Sequence, residues 1–113
     1  MFADDTPDFR GLQFDTPRQQ VWVDGMLRPF VLTRTEMKLL CFLAQHQSKI
    51  CPRQDTVEHV YGTPYHLEMD NDRLDAMIRR VRKKIGDSTH APRFLITIHG
   101  VGHRLDEYVG ERS

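Results

Sequence analysis

Residues 70–86 read DNDRLDAMIRRVRKKIG, and the architecture follows from how this stretch has to sit. At about 100° per residue, Leu74, Ile78, Val81 and Ile85 share one stripe that must face a core. The opposite stripe carries Arg73, Ala76, Arg80 and Lys83, flanked by Met77, Arg79 and Lys84. Asp70 or Asn71 can cap the start and Gly86 can close the end, so the spacing predicts a helix over 71–85. Acids occupy its first turns and bases run from Arg79 onward, which is the order the helix dipole favours. Part of the basic cluster is therefore ordinary helix chemistry.

Downstream, after a linker over 87–92, residues 94–105 read FLITIHGVGHRL. Two apolar runs joined by Gly100-Val101-Gly102 predict a hairpin over 95–105. Upstream, Thr33-Arg34-Thr35-Glu36 is a capping box, a hydroxyl followed three residues later by a glutamate that reaches back. It predicts a helix to about His46, buried through Met37, Leu40, Leu43 and Ala44. A break at 48–52 with extended Ile50-Cys51 leads to a second helix from Arg53 to Tyr61, with Val57, Val60 and Tyr61 on its apolar side. Gly62-Thr63-Pro64 stops it, and 62–70 reads as a loop holding Pro64, Tyr65 and Leu67. Before the first helix, short apolar runs at Leu12–Phe14, Gln20–Asp24, Met26–Arg28 and Phe30–Leu32 are punctuated by Asp15-Thr16-Pro17, Asp24-Gly25 and Pro29. Asp-Gly between alternating residues is a tight-hairpin signal, so these runs read as a small antiparallel meander. Trp22 would point into the core or onto the domain face.

The expected class is α+β: a winged helix-turn-helix with an N-terminal antiparallel β-meander, a three-helix core and a C-terminal β-hairpin wing. Residues 1–11 read as a flexible tail or linker, 12–106 as the domain and 107–113 as a C-terminal tail, with the final eight residues frayed. A length of 113 residues with 39% hydrophobic side chains suits one domain with a modest core. No apolar run approaches the roughly 20 residues of a membrane helix, and the acidic start Met1–Asp5 does not read as a secretory signal. Cys41 and Cys51 lie among apolar neighbours without a CxxC pair and read as small buried hydrophobes in a reducing cytoplasm. His99 and His103 flank a glycine turn without a third ligand, so no metal is expected. No nucleophile elbow, phosphate loop or zinc-protease motif is present, so neither catalysis nor a cofactor is expected.

Sixteen basic and sixteen acidic residues give no net charge, but the distribution is uneven. From Asp70 to Arg104 four acids (Asp70, Asp72, Asp75, Asp87) face eight bases (Arg73, Arg79, Arg80, Arg82, Lys83, Lys84, Arg93, Arg104). Such segregation points to an anionic partner. An exposed helix about 10 Å across fits the major groove of duplex DNA, where arginine can bond guanine bidentately and apolar side chains meet thymine methyls. The hairpin can then lie along the adjacent minor groove. A solvated basic face that binds nothing would show the same helix pattern.

Several stretches together resemble OmpR/PhoB-type winged-helix effector domains of response regulators. Leu32–Leu40 (LTRTEMKLL) resembles that family's opening helix, Ile50–Arg53 and Val60–Gly62 the flanks of its second helix. Asp75–Ile85 (DAMIRRVRKKI) is similar to its recognition helix, and Ile96–Leu105 (ITIHGVGHRL) to its wing. The meander also fits, because this family places a four-stranded sheet before the first helix. The resemblance covers about residues 12–106. It implies double-stranded DNA as partner, with Ala76, Met77 and Arg80 at base edges. It implies Arg73, Arg79, Arg82, Lys83, Thr97 and His103 at the backbone, and His99 at the minor groove. His99 stands where the family usually has an arginine and His103 where it commonly has a tyrosine, so wing contacts should be weaker and pH-dependent. Thr56 replaces a usual leucine at a cost in packing. The 62–70 loop resembles the segment that contacts RNA polymerase in relatives, and a second copy could pair head-to-tail on direct repeats.

Family members normally carry an N-terminal receiver domain, for which this chain has no room. Two rival readings follow from the residues. One is a winged-helix protein-interaction module with weak or no DNA binding, contacting its partner through Tyr65, Leu67 and Met69. The other is a zinc- or thiol-dependent enzyme.

Overall fold

Leu12 and Phe14 are buried while Gln13 and Asp15 are half-buried, and this period of two makes Leu12–Asp15 a strand, β1. The computed structural model describes residues 10–88, 90–107 and 109–111, without the side chains of Leu67, Glu68 and Val109. Residues 1–9 of the expected tail at 1–11 and the last two residues lie outside the described residues, while Gly11 is buried and its N–H donates to Asp24 Oδ1 at 2.8 Å, so it belongs to the folded unit rather than to a tail. β1 pairs antiparallel with β2 (Gln20–Val23), which pairs antiparallel with β3 (Met26–Leu27). Asp24 and Gly25 both take positive φ, 52° and 82°, as the two-residue turn that suits a right-twisted hairpin requires. Val21 is buried, so Trp22 projects from the other face of β2, between Gln13 and Leu27. Of the two placements expected for Trp22, the sheet's outer face is the one adopted.

The meander differs from expectation at Phe30–Leu32, which forms no strand. Leu32 is buried, its N–H donates to the Gln19 carbonyl at 2.9 Å, and its own carbonyl accepts from Gln19 Nε2. With both backbone groups spent on Gln19, the segment crosses the sheet instead of extending it.

Thr33 caps α1 (Arg34–Gln45) with both arms of the capping box formed, Glu36 N–H to Thr33 Oγ1 at 3.1 Å and Thr33 N–H to Glu36 Oε1 at 2.9 Å. Met37, Leu39, Leu40 and Leu43 are buried on one side of α1. β4 (Cys51–Pro52) leads into α2 (Arg53–Tyr61), closed by Gly62 in the left-handed region. Thr56 is buried, and its hydroxyl donates to the Pro52 carbonyl at 3.0 Å. The hydroxyl that replaces apolar bulk therefore leaves no unsatisfied donor.

The third helix, α3 (Leu67–Ile85), begins four residues earlier than expected. Asp70 does not cap from outside. It lies buried in the first turn, and its carboxylate accepts the His66 N–H at 2.6 Å, which supports the extra turn. The loop between α2 and α3 is correspondingly short. Gly86, with φ 78°, ends α3 as expected. Leu74, Met77, Ile78, Val81 and Ile85 are all buried against α1, α2 and the sheets, each worth roughly 1.5–3 kcal/mol of hydrophobic transfer.

The wing consists of β5 (Leu95–Ile98) and β6 (Gly102–Leu105), with β4 added beside β6 to give the order β4-β6-β5. The C-terminal segment is a correction. Val109–Glu111, expected to fray, forms β7 and pairs parallel with β1, giving a second sheet ordered β3-β2-β1-β7. The folded unit therefore runs past residue 106. Among the described residues no helix is long and apolar enough to cross a membrane.

Gly102 opposes Pro52 where β4 joins β6, and a Cβ there would stand 2.0 Å from the Cys51 carbonyl oxygen. Gly102→Ala should therefore cost about 2 kcal/mol or more, because backbone has to move. Urea denaturation checks this; a loss under about 0.5 kcal/mol would show that β4 does not need the close approach.

Candidate nucleic-acid interface

The expected contact residues divide by depth. Arg73, Arg79, Arg80 and Lys83 are exposed on the outer side of α3, and Ala76 is half-buried among them. The side chains of Arg79 and Lys83 make no hydrogen bond or ion pair with the described residues, so their charges are free to meet an external anion. Arg73 lies with its guanidinium 3.5 Å from the centroid of the Tyr61 ring and its Nη1 3.2 Å from Asp70 Oδ1. It is anchored at the α2–α3 junction while remaining exposed.

Three expected contacts are corrected by burial. Met77 has no exposed surface and belongs to the core. It lies about 60° from Leu74 on the helical wheel, within a stripe wider than the narrow one drawn from the aliphatic residues alone. Arg82 is only 8% exposed, and its guanidinium faces the wing. Its Nε and Nη2 donate to the Leu95 carbonyl at 3.1 and 2.8 Å, and Nη2 also donates to Thr97 Oγ1 at 2.7 Å. Burial draws the Arg82 guanidinium below its ordinary value, with Asp87 opposing that shift. Arg82 therefore works as a tether between α3 and β5.

His103, the third, is 1% exposed, and its Nδ1 has no hydrogen-bond partner among the described residues. Burial first, then repulsion from Arg53 and Arg82, push it down to about 4 against the pull of Asp75. It is a neutral imidazole at neutral pH and cannot lie on a phosphate while enclosed. His99 is exposed beside the turn at Gly100 and is the wing histidine that faces outward.

Between α3 and the wing lies a cleft of about 320 Å³, lined among others by Arg53, Asp75, Arg79, Arg82, Thr97, His99 and His103. Arg53 donates to Asn71 Oδ1 at 2.8 Å and to Asp75 Oδ1 at 2.7 Å, locking α2 to the first half of α3. Tyr65 joins this network by donating to Asn71 Oδ1. The cleft is thus lined by the paired Arg53, Asp75 and Arg82, by His103 with its unpartnered Nδ1, and by exposed Arg79 and His99.

In the sequence Glu36 shows only as half of a capping box. In the structure it is 1% exposed and also receives Arg80 Nε at 3.1 Å and Lys84 Nζ at 2.7 Å. Burial alone would raise this carboxyl, but hydrogen bonds from Lys84, the Thr33 backbone and Arg80 outweigh it and hold the group below its ordinary value. Arg28, also unremarked in the sequence, donates through Nε to the Lys84 carbonyl at 3.0 Å, closing the end of α3 from the N-terminal sheet. Among the described residues no cluster of His, Cys, Asp and Glu could hold a metal ion. Cys51 is buried and Cys41 half-buried, both as free thiols, and burial followed by Asp55 pushes the Cys51 thiol up, so it carries no thiolate character.

The family profile described as "Transcriptional regulatory protein, C terminal" matches residues 28–105. The chain belongs to this family. The family is one of transcriptional regulators, and within it the chain is of the OmpR/PhoB type. It is 32% identical over 106 residues to the phosphate regulon transcriptional regulatory protein PhoB of Klebsiella pneumoniae, covering 93% of this chain and 44% of that protein. The response regulator DrrB of Thermotoga maritima, an OmpR/PhoB homologue, superposes with a TM-score of 0.71 at 30% identity, over 89% of this chain and 44% of DrrB. The DNA-binding domain of RstA from Klebsiella pneumoniae, solved in complex with the RstA box, gives a TM-score of 0.69 at 27% identity over 81% of this chain and 87% of that domain. The chain spans less than half the length of the curated relatives it matches. For a transcriptional regulatory C-terminal domain, the winged-helix class expected from the sequence is the fold observed.

The buried imidazole sets a pH dependence. Unfolded His103 protonates near 6.5 and folded His103 only near 4, so below about pH 6.5 the unfolded state binds the extra proton. The stability this group contributes is complete above pH 6.5 and is lost as pH falls toward 4, by at most about 3 kcal/mol. His103→Leu should remove that part of the acid loss. Urea midpoints of both proteins between pH 7 and pH 4 check it; parallel curves would mean that His103 titrates normally in the fold.

Proposed function

We propose that this chain is the sequence-specific double-stranded DNA-binding domain of a cytoplasmic transcriptional regulator. The observation that carries the reading is the outer face of α3. Arg79 and Lys83 are free cations there, next to exposed Arg80 and half-buried Ala76, and a fully packed opposite face holds the helix rigid. Such a face enters a major groove with Ala76 and Arg80 at base edges and Arg73, Arg79 and Lys83 on phosphates. The wing then follows the adjacent backbone, with Thr97 beside it and His99 toward the minor groove. Met77, Arg82 and His103 act from behind this surface by packing and tethering. Relatives support the reading: the DNA-binding domain of RstA is solved in complex with the RstA box, and that of the response regulator AdeR in complex with an intercistronic region.

The finer partners belong to the same proposal. A second copy would bind head-to-tail on direct repeats, and RNA polymerase would meet the shortened α2–α3 loop with the first turn of α3, where Met69 is 66% exposed. That exposed methionine also favours the rival protein-interaction reading, so the first experiment has to discriminate the two.

Amide NMR titration with a random-sequence duplex, at low salt and near about 0.2 M, does so, because phosphate contacts are lost with counterion competition. Shifts should concentrate on residues 73–84 and 97–103 and fade with salt. Arg79→Ala should weaken binding to all sequences alike and reduce the salt slope by about 1, whereas Arg80→Ala should cost about 1–3 kcal/mol at one base pair. Absence of shifts at low salt would sink the DNA reading in favour of a protein partner.

A further inference from the structure

Glu36 is a buried anion from α1 that meets two cations of α3. Its Oε1 accepts from the Thr33 N–H and from Lys84 Nζ, at 2.9 and 2.7 Å, and its Oε2 accepts from Arg80 Nε at 3.1 Å. At 1% exposure and with two partners fixed on Oε1, this carboxylate cannot swing away. Arg80 itself is 55% exposed, and its Nη1 and Nη2 have no partner among the described residues. Because a guanidinium is planar, a hydrogen bond at Nε fixes the plane of the whole group and leaves the terminal fork as the free edge. That fork is what bidentate recognition of guanine O6 and N7 requires.

We propose that Glu36 is a positioning residue for base recognition, holding Arg80 by Nε so that its Nη1/Nη2 fork is presented in one orientation to a guanine edge, without touching DNA itself. This rests on the reading of α3 as a groove-binding helix. It gives Glu36 two effects of opposite sign on binding. Its negative charge beside α3 weakens attraction to every duplex, while its hold on Arg80 strengthens preference at one base. A residue needed only for folding would support both kinds of binding alike.

Glu36→Gln tests this, because the amide keeps the oxygen that accepts from Thr33 but loses the charge and the second acceptor. Wild type is first used to select from a randomised duplex library, and affinities are then measured for the selected duplex, its single-base variants and unselected DNA. Wild type should select a guanine at the position that Arg80 reads. Glu36→Gln should lower preference for that guanine by about tenfold, while affinity for unselected DNA stays level or rises. In an Arg80→Ala background, Glu36→Gln should cause no further loss of preference. Arg80→Lys, which leaves Glu36 intact, should lose the same preference, since one ammonium engaged by Glu36 has no fork to offer. If Glu36→Gln unfolds, the Arg80 Nε–H of the wild-type protein is followed by NMR instead: exchange with water slower than that of Arg79 Nε–H is expected, and equal exchange of the two overturns the hold. Preference unchanged in Arg80→Lys or in folded Glu36→Gln, equal loss on selected and unselected DNA, or an additive loss in the Arg80→Ala background each overturn the positioning role. A wild-type protein that selects no sequence overturns the groove reading and this inference together, and that outcome is recognisable from the control alone.

Discussion

The guanidinium of Arg82, enclosed between α3 and the wing, is the contact on which the geometry of the binding face depends. A helix and a two-stranded ribbon have no intrinsic reason to keep a fixed angle. Arg82 supplies one by spending its donors on the Leu95 carbonyl and the Thr97 hydroxyl. Burying a charge is costly unless it is well bonded, and the multiple charge-assisted hydrogen bonds offset that cost here. Because β5 is thereby tied to α3, and β6 to β4 at the head of α2, the wing is fastened to both α2 and α3.

Around this tether the cations of α3 divide into two kinds. Arg82 and Lys84 face inward and are paired within the domain, while Arg79 and Lys83 face outward and are unpaired among the described residues. Arg80 stands between, with one edge of its guanidinium held and the other open. The run RRVRKK in the sequence thus places its cations in several different environments, separated by the angle each residue takes on the helix. Net charge, which is zero for the chain, says nothing about this arrangement.

The fold was readable where local chemistry and periodicity agreed. The Thr33–Glu36 box, the Asp24-Gly25 turn, the Gly86 stop and the aliphatic stripe of α3 each name a structure from a few neighbouring residues, and each is present. What could not be read depends on partners far along the chain. Val109–Glu111 is a strand only because β1 offers it an edge nearly a hundred residues earlier, and Phe30–Leu32 is not one because Gln19 takes its hydrogen bonds. On α3 and the wing, residue type says which side chains are cationic but not how deep each one lies. Met77 was drawn to the surface by its place beside the basic stripe, although its wheel angle already placed it at the core's margin. His103 stands where the family commonly has a tyrosine, but it is buried, and the charges of Arg53 and Arg82 that act on it come from two other elements.

The pairing of β7 with β1 also bears on how the protein is made. A polypeptide emerging from the ribosome completes the β1–β2–β3 hairpins from residues close in sequence, and can do so early. The outer edge of β1 finds its partner only when Val109–Glu111 has been synthesised. Until then a short row of unpaired backbone N–H and C=O groups stays open beside the apolar face of Leu12 and Phe14, a template onto which a neighbouring nascent chain can add a strand. Val109–Glu111 therefore close this edge of the sheet against other copies of the chain.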